Sequence, residues 1–248
     1  MVWVPGGSTE SVYSANAVRF DGSNDYVQRS GNLTGAADGK LGILSFWFKF
    51  TGGDGVDMNI FTGHPSTLQI TKEGGNDKFF ILGSDSGNTN RIRMTSNTAY
   101  TASSTWYHFG AYWDVGNTVD GLLIDGSDDK VLVVNSDGDI DYLATDVIMG
   151  GAFSGGGSPG TKLLDAEIAD FYFNQAEVLD LSVSANLLKF RSAAGKPVDL
   201  GSDGSTPTGT APIVFFSGAT ATWHTNKGGG GGFTEGGALT DAADSPSD

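Results

Sequence analysis

Short alternating apolar runs, each closed off by a cluster of Gly, Asp and Asn, follow one another along most of this chain. That punctuation leaves little choice of architecture. Residues 43–50, 67–71, 78–82, 91–95, 106–113, 121–124, 131–134 and 168–173 read as strands of period two. Between them stand Gly52-Gly53-Asp54-Gly55, Glu73-Gly74-Gly75-Asn76-Asp77, Asp85-Ser86-Gly87-Asn88 and Asp125-Gly126-Ser127-Asp128-Asp129, residue types that tolerate the backbone angles of tight turns. With 38 glycines and 11% aromatics in 248 residues, the chain suits strands joined by turns better than helices. The expected class is all-β, a sandwich of antiparallel sheets with one short helix toward the C-terminal end. That helix falls at roughly 183–194, with Ser182 as its cap, Val183, Leu187, Leu188 and Phe190 as a partial apolar stripe, and Gly195 and Pro197 as its stop. An apolar run at 211–217 adds a late strand.

A chain of this length forms one all-β domain and buries roughly 70–75% of its unfolded surface. Lys and Arg number 14 against 29 Asp and Glu, a net charge of −15, which opposes nucleic-acid binding because phosphate affinity comes from basic side chains. Cysteine is absent, so disulfides, thiolate chemistry and sulfur-ligated metals are excluded. The first residues, Met1-Val2-Trp3-Val4-Pro5-Gly6-Gly7, lack a basic start and a long apolar run, and no stretch of about 18 apolar residues occurs anywhere. Neither a secretion signal nor a membrane span is expected. The chain divides into an N-terminal arm or strand (1–16), the sandwich (17–195), an extension with the late strand (196–227) and a Gly-rich acidic tail (228–248). Five consecutive glycines at 228–232 lack the Lys and Ser or Thr that a phosphate loop needs. The tail therefore reads as a flexible arm and a docking element.

Four pieces, in order, resemble the laminin-G-like branch of the concanavalin A-like lectin/glucanase superfamily. They are Phe20-Asp21-Gly22-Ser23-Asn24-Asp25-Tyr26-Val27, Leu44-Ser45-Phe46-Trp47-Phe48-Lys49, Trp106-Tyr107-His108-Phe109 continuing to Leu122-Leu123-Ile124-Asp125-Gly126, and Ile168-Ala169-Asp170-Phe171-Tyr172-Phe173. The resemblance covers 17–195 and implies a concanavalin A-like jelly roll. The Gly-rich ending is similar to those of tailed-phage and prophage virion proteins. Together these imply a non-enzymatic structural component of a virion, such as a capsid decoration, head-fibre or tail protein. Such a protein is made in the host cytoplasm, forms a homo-oligomer, and contacts other virion proteins and surface polysaccharide. The alternative is a calcium-assisted carbohydrate-binding module, and an endo-acting glycanase comes last. Calcium is implied by the same resemblance, with Asp21 and Asp170 on the matching strands as its ligands.

No catalytic signature accompanies the fold. Retaining glucanases of the superfamily carry Glu-x-Asp-x-x-Glu on one strand, whereas Glu167 and Asp170 stand three apart, on opposite faces of a regular strand. His64, His108 and His224 are scattered without zinc-type spacing, and no Gly-x-Ser-x-Gly elbow occurs. Residues 135–141 resemble an EF-hand loop, but Ile140 replaces its glycine and the closing Glu is missing, so the stretch reads as a turn. On the central strand Tyr107, Phe109, Ala111 and Trp113 share the more apolar face, which points to the core. Trp106, His108, Gly110 and Tyr112 share the other. His108 and Tyr112 with Trp47 form the candidate sugar-binding set, bordered by the loop 151–160, because aromatic faces stack on sugar rings. The competing reading makes all three cross-strand packing residues.

Overall fold

The computed structural model describes residues 13–65, 67–154 and 159–248. Its strands, in chain order, are β1 (Ala17–Asp21), β2 (Tyr26–Ser30), β3 (Leu41–Phe50), β4 (Met58–His64), β5 (Leu68–Glu73), β6 (Lys78–Ser84), β7 (Asn90–Ala99), β8 (Tyr107–Asp114), β9 (Val119–Ile124), β10 (Ser127–Asp128), β11 (Lys130–Asn135), β12 (Asp146–Met149), β13 (Ala152–Phe153), β14 (Pro159–Thr161) and β15 (Asp165–Asn174), then β16 (Val214–Phe216), β17 (Thr234–Gly236) and β18 (Thr240–Asp241). Two single-turn helices, α1 (Ser184–Leu187) and α2 (Thr220–Trp223), flank β16. Sheet A runs β10-β9-β8-β3-β15-β1-β18, with β16 also on β15, and sheet B runs β11-β7-β6-β5-β4-β12-β2-β17. All pairings within these two sheets are antiparallel.

Alternation decides what lies between the sheets. On β3, Leu44, Phe46, Phe48 and Phe50 point inward, and on β8 Phe109, Ala111 and Trp113 do the same. Across from them sheet B contributes Ile60, Ile70, Phe79, Ile81, Ile92 and Met94. Phe109 lies 4.7 Å from both Phe46 and Phe79, centroid to centroid, within the range where aromatic pairs add to simple burial. All eight strands expected from the sequence are present, and the late strand appears as β16.

The helix expected across 183–194 forms only over Ser184–Leu187. Ser182 does not cap it, because its hydroxyl donates to Asp180 instead and the N-cap position belongs to Val183. Val183 and Leu188 face solvent while Leu181 and Phe190 are buried. The apolar positions thus do not share one helical stripe, and the chain follows the sheet surface rather than a helical period.

The tail is not a free arm. It crosses the open side of the sandwich, adding β17 beside β2 and β18 beside β1, and it buries Phe233 and Leu239 in the main core. The glycines make this possible through close backbone approach. A Cβ on Gly228 would sit 2.4 Å from the Pro212 carbonyl oxygen, and one on Gly230 would sit 2.3 Å from that of Ile213. The backbone there bonds Gly229 N–H to Pro212 and Gly230 N–H to Ile213. No larger residue fits such a packed ladder. Residues 1–12, most of the expected N-terminal arm, and 155–158 of the loop 151–160 lie outside the described residues. The rest of that loop holds the paired β13 and β14.

Candidate functional site

The outer face of sheet A, where the aromatic set was expected to meet a ligand, is roofed. Trp47 and His108 are cross-strand partners with ring centroids 5.0 Å apart, but they are only 3% and 1% exposed. Trp47 packs with Ala15, Ala17 and Ala169 beneath Tyr13, Trp106 and Ala242. Tyr112, 5% exposed, belongs to a separate cluster with Leu181, Phe190 and Leu200. Their burial makes all three packing residues, with only a sliver of Trp47 reaching the surface. His108 bonds Ser45 through Nε2 at 2.9 Å. Burial, helped by Arg191, pushes its pKa down to about 3, so the ring is neutral. The cover consists of Tyr13 and Trp106 with the segment after β15 and the tail, none of which announces its destination in sequence.

Asp21 and Asp170 do not converge either. Register places Asp21 opposite Asp165, and Ala17 opposite Ala169. Asp170 therefore lies beyond the other end of β1, more than about 13 Å away at ~3.3 Å per residue. Asp21 closes its own turn, accepting the N–H groups of Ser23 and Asn24. Asp170 sits in a β-bulge with φ +48°, so Ile168 and Phe171 both point into the core with Ala169 and Asp170 outside between them. The bulge overturns the opposite-faces expectation for Glu167 and Asp170. It does not make a catalytic pair. Glu167 is held by Lys49 at 2.5 Å, and Asp170 accepts the Tyr13 hydroxyl at 2.9 Å. Among the described residues, no group of three or more His, Asp or Glu is arranged to hold a metal ion. At the acidic turn Gly52-Gly53-Asp54-Gly55, the chain supplies its own cation. The buried Lys72 ammonium donates to the Gly53 carbonyl at 3.0 Å and to Asp77.

The outer face of sheet B is open. Its inward positions are spent on the core, so Gln69 and Thr71 of β5 and Phe80 and Leu82 of β6 project outward, with Thr71 opposite Phe80 and Gln69 opposite Leu82. Of these, Gln69, Thr71 and Phe80, together with Asp57, Glu73, Asn76 and Lys162, border a cleft of about 300 Å³. The half-buried Phe80 ring forms part of the wall, with the Arg93 guanidinium 5.3 Å from its centroid. Asp57 accepts the Gly74 N–H at 2.8 Å and pairs with Lys162 at 2.9 Å. Those two contacts, the Gly74 bond first, hold its carboxyl below the usual range, so it is ionised. Asn76 donates to Glu73 at 3.1 Å. One aromatic ring, two amides, two carboxylates and an ammonium thus ring a single open depression, while the Thr71 hydroxyl donates inward to Asn59. This is the mixture of apolar and convergent polar groups that a polyhydroxylated ligand requires.

A second, larger cleft of about 390 Å³ is lined by Trp47, Trp106, Lys196 and Asp244, so Trp47 alone of the expected aromatic set borders an opening. There the indole N–H already donates to Asp244 at 2.7 Å, and the Lys49 ammonium sits 5.2 Å from the ring centroid. Both contacts engage the Trp106 ring within the chain. The sheet B cleft was missed in sequence because β5 and β6 carry no signature motif. The available signal was the alternation Gln69, Thr71 and Phe80, Leu82, outward residues that are not uniformly charged as a merely solvated face would be.

No protein-family model and no curated protein matches this chain. Among solved structures, a heptameric SAP-like pentraxin from Limulus polyphemus superposes with TM-score 0.59 at 12% identity, over 92% of this chain and 95% of the other. A candidate carbohydrate-binding protein from Bacteroides ovatus gives TM-score 0.64 at 10% identity, over 94% of this chain and 62% of the other. The LG1-3 region of the laminin α2 chain matches at TM-score 0.47 and 15% identity, over 65% of this chain and 31% of the other, too distant to argue from. The first two establish a shared jelly-roll sandwich and nothing finer.

Proposed function

We propose that this chain is a non-enzymatic carbohydrate-binding module whose sugar site is the cleft between Phe80, Gln69, Asn76 and the Asp57–Lys162 pair. The observation that carries the reading is the chemistry of that cleft on the open face of sheet B. The likeness to a Bacteroides ovatus protein titled as carbohydrate binding supports it at the level of fold. Asp57 is held ionised, the reverse of what a general acid for glycoside cleavage needs, and this favours binding over hydrolysis. The virion-assembly reading drew on the cysteine-free acidic composition, the missing catalytic motif and the Gly-rich ending; the paired tail bears only on the last, which is not a free docking arm.

Binding of immobilised and soluble glycans, with and without calcium, tests the proposal. Phe80→Ala and Asn76→Ala should each weaken binding by about tenfold or more, the loss of one stacked ring or one good hydrogen bond, about 1.5 kcal/mol. Trp106→Ala should leave it unchanged. Binding that ignores Phe80→Ala, or release of reducing ends from a bound polysaccharide, would overturn the reading.

A further inference from the structure

Lys227 carries an ammonium that the chain itself does not neutralise. Its backbone N–H bonds the Phe215 carbonyl at 2.9 Å and its Nζ donates to the Ser217 hydroxyl at 3.1 Å. The ammonium lies over the bare backbone of Gly218, where a Cβ would come within 2.9 Å of it. The side chain is thus fixed at both ends. Yet among the described residues no carboxylate stands within ion-pair distance of it, in a chain with 29 Asp and Glu against 14 Lys and Arg. The neighbouring acid is otherwise engaged. β16 ends at Phe216, opposite Phe171, so Ser217 follows on the Asp170 side, but both Asp170 oxygens accept the Tyr13 hydroxyl, at 2.9 and 3.0 Å.

The ammonium opens onto a cleft of about 320 Å³ on the outer side of sheet A, between the segment before β1, the stretch after β15 and the turn after β16. Ser14, Asn16 and Ser202 line it, and none of their side chains bonds another described residue. Asp199 stands at its exposed rim, with one oxygen on the Gly201 N–H at 2.8 Å and the other open. We propose that this cleft binds a small hydroxylated anion, a sugar acid or a sugar phosphate, with its charged group on Lys227 and Ser217 and its hydroxyls toward Asn16, Ser202 and Asp199. An ammonium without a counter-ion favours an anionic group, because charge-assisted hydrogen bonds are the strong ones. Beyond the Tyr13 ring the lining is hydroxyl, amide, carboxylate and glycine, which suits hydroxyls rather than a hydrocarbon body. The Asp199 carboxylate accepts hydroxyl protons and turns away a second negative charge. The site lies on the opposite side of the sandwich from the sheet B cleft and does not rest on it.

Asp170 couples this site to pH. The groups acting on it are Tyr13 from the segment before β1, Lys227 from the turn after α2 and Asp199 from the stretch after β15. While Asp170 is neutral, Lys227 is left to the ligand. Once ionised, Asp170 draws on the ammonium and repels the anion, so affinity falls as pH rises through about 7.

Titration of the full chain at pH 6 with glucuronate, glycerol phosphate, glucose and free glycine, followed by amide chemical shifts, tests the proposal. At least one of the two anions should shift Ser14, Asn16, Ser202 and Gly218, and which of them does so tells carboxylate from phosphate; glucose and glycine should not. Lys227→Met should weaken that binding at least about tenfold, and Lys196→Met, at the cleft beside Trp106, should leave it unchanged. Asp170→Asn removes no charge at pH 6, and relative to it the wild-type chain should lose roughly tenfold in affinity between pH 6 and pH 8. Glucose or glycine held as tightly as the anions, binding that ignores Lys227→Met, or one pH profile shared by the wild-type chain and Asp170→Asn would overturn the proposal, as would no shift with either anion at millimolar concentration.

Discussion

Asp170 offers a sharp test of the packing on the outer face of sheet A. Its carboxyl is 3% exposed, in a left-handed conformation with φ +48°, under the Tyr13 hydroxyl. Burial raises its pKa from the ordinary 3.8 to about 7, against the smaller opposing pulls of Tyr13 and Lys227. A folded-state pKa above the unfolded one means that the native state holds the proton more tightly. Stability from this group is therefore fully present below about pH 4 and is lost as pH rises toward 7, after which it stays flat. The gap of about three pH units, at ~1.4 kcal/mol each, sets an upper bound of about 4 kcal/mol. Asp170→Asn keeps the shape, keeps an acceptor for Tyr13, suits the left-handed backbone, and cannot ionise. Urea unfolding of both proteins between pH 4 and pH 8 isolates the effect, because His108 and the other carboxylates titrate equally in each. The advantage of the Asn variant should grow by up to about 4 kcal/mol across that interval, most of it between pH 5 and pH 7. A difference that is constant with pH, or that shrinks as pH rises, would refute the account of a buried neutral acid.

Other consequences are as direct. Lys49→Met should destabilise by about 3–5 kcal/mol by stranding the buried Glu167 carboxylate, and adding Glu167→Leu should recover most of it; chemical denaturation of the three variants decides. Removing residues 233–248 should lower stability by roughly 3–6 kcal/mol through loss of buried Phe233 and Leu239, where a free arm would cost nothing; thermal melting distinguishes the two. Gly42→Ala should cost about 1–3 kcal/mol, because a Cβ there would lie 2.2 Å from the Trp113 ring, again read by denaturation.

The sandwich was legible because period-two alternation and turn chemistry are local properties, written into β3, β6, β8 and β15 wherever they end up. The fate of outward residues is not local. Trp47, His108 and Tyr112 sit on the correct face of sheet A, yet segments distant in sequence, Tyr13 and Trp106 over Trp47 and the stretch after β15 over Tyr112, decide that they are buried. The helix at 183–194 shows the same limit, since Leu181 and Phe190 answer to the sheet below and not to a helical repeat. Composition misled at the tail, where a glycine run looks identical whether it is solvated or wedged against the carbonyls of Pro212 and Ile213. The Asp21 and Asp170 pairing failed because sharing neighbouring strands fixes adjacency but leaves position along the strand open.

The tail strands also set the order of events during synthesis. Val18 pairs with Asp241 and Val27 with Glu235, so one side of β1 and of β2 has no partner until more than two hundred further residues have been made. At ~5–20 residues per second that interval is roughly 10–45 s. Throughout it, two early strands present open flanks to neighbouring chains on the same message, and residues 234–241 act as a stopper that ends the exposure.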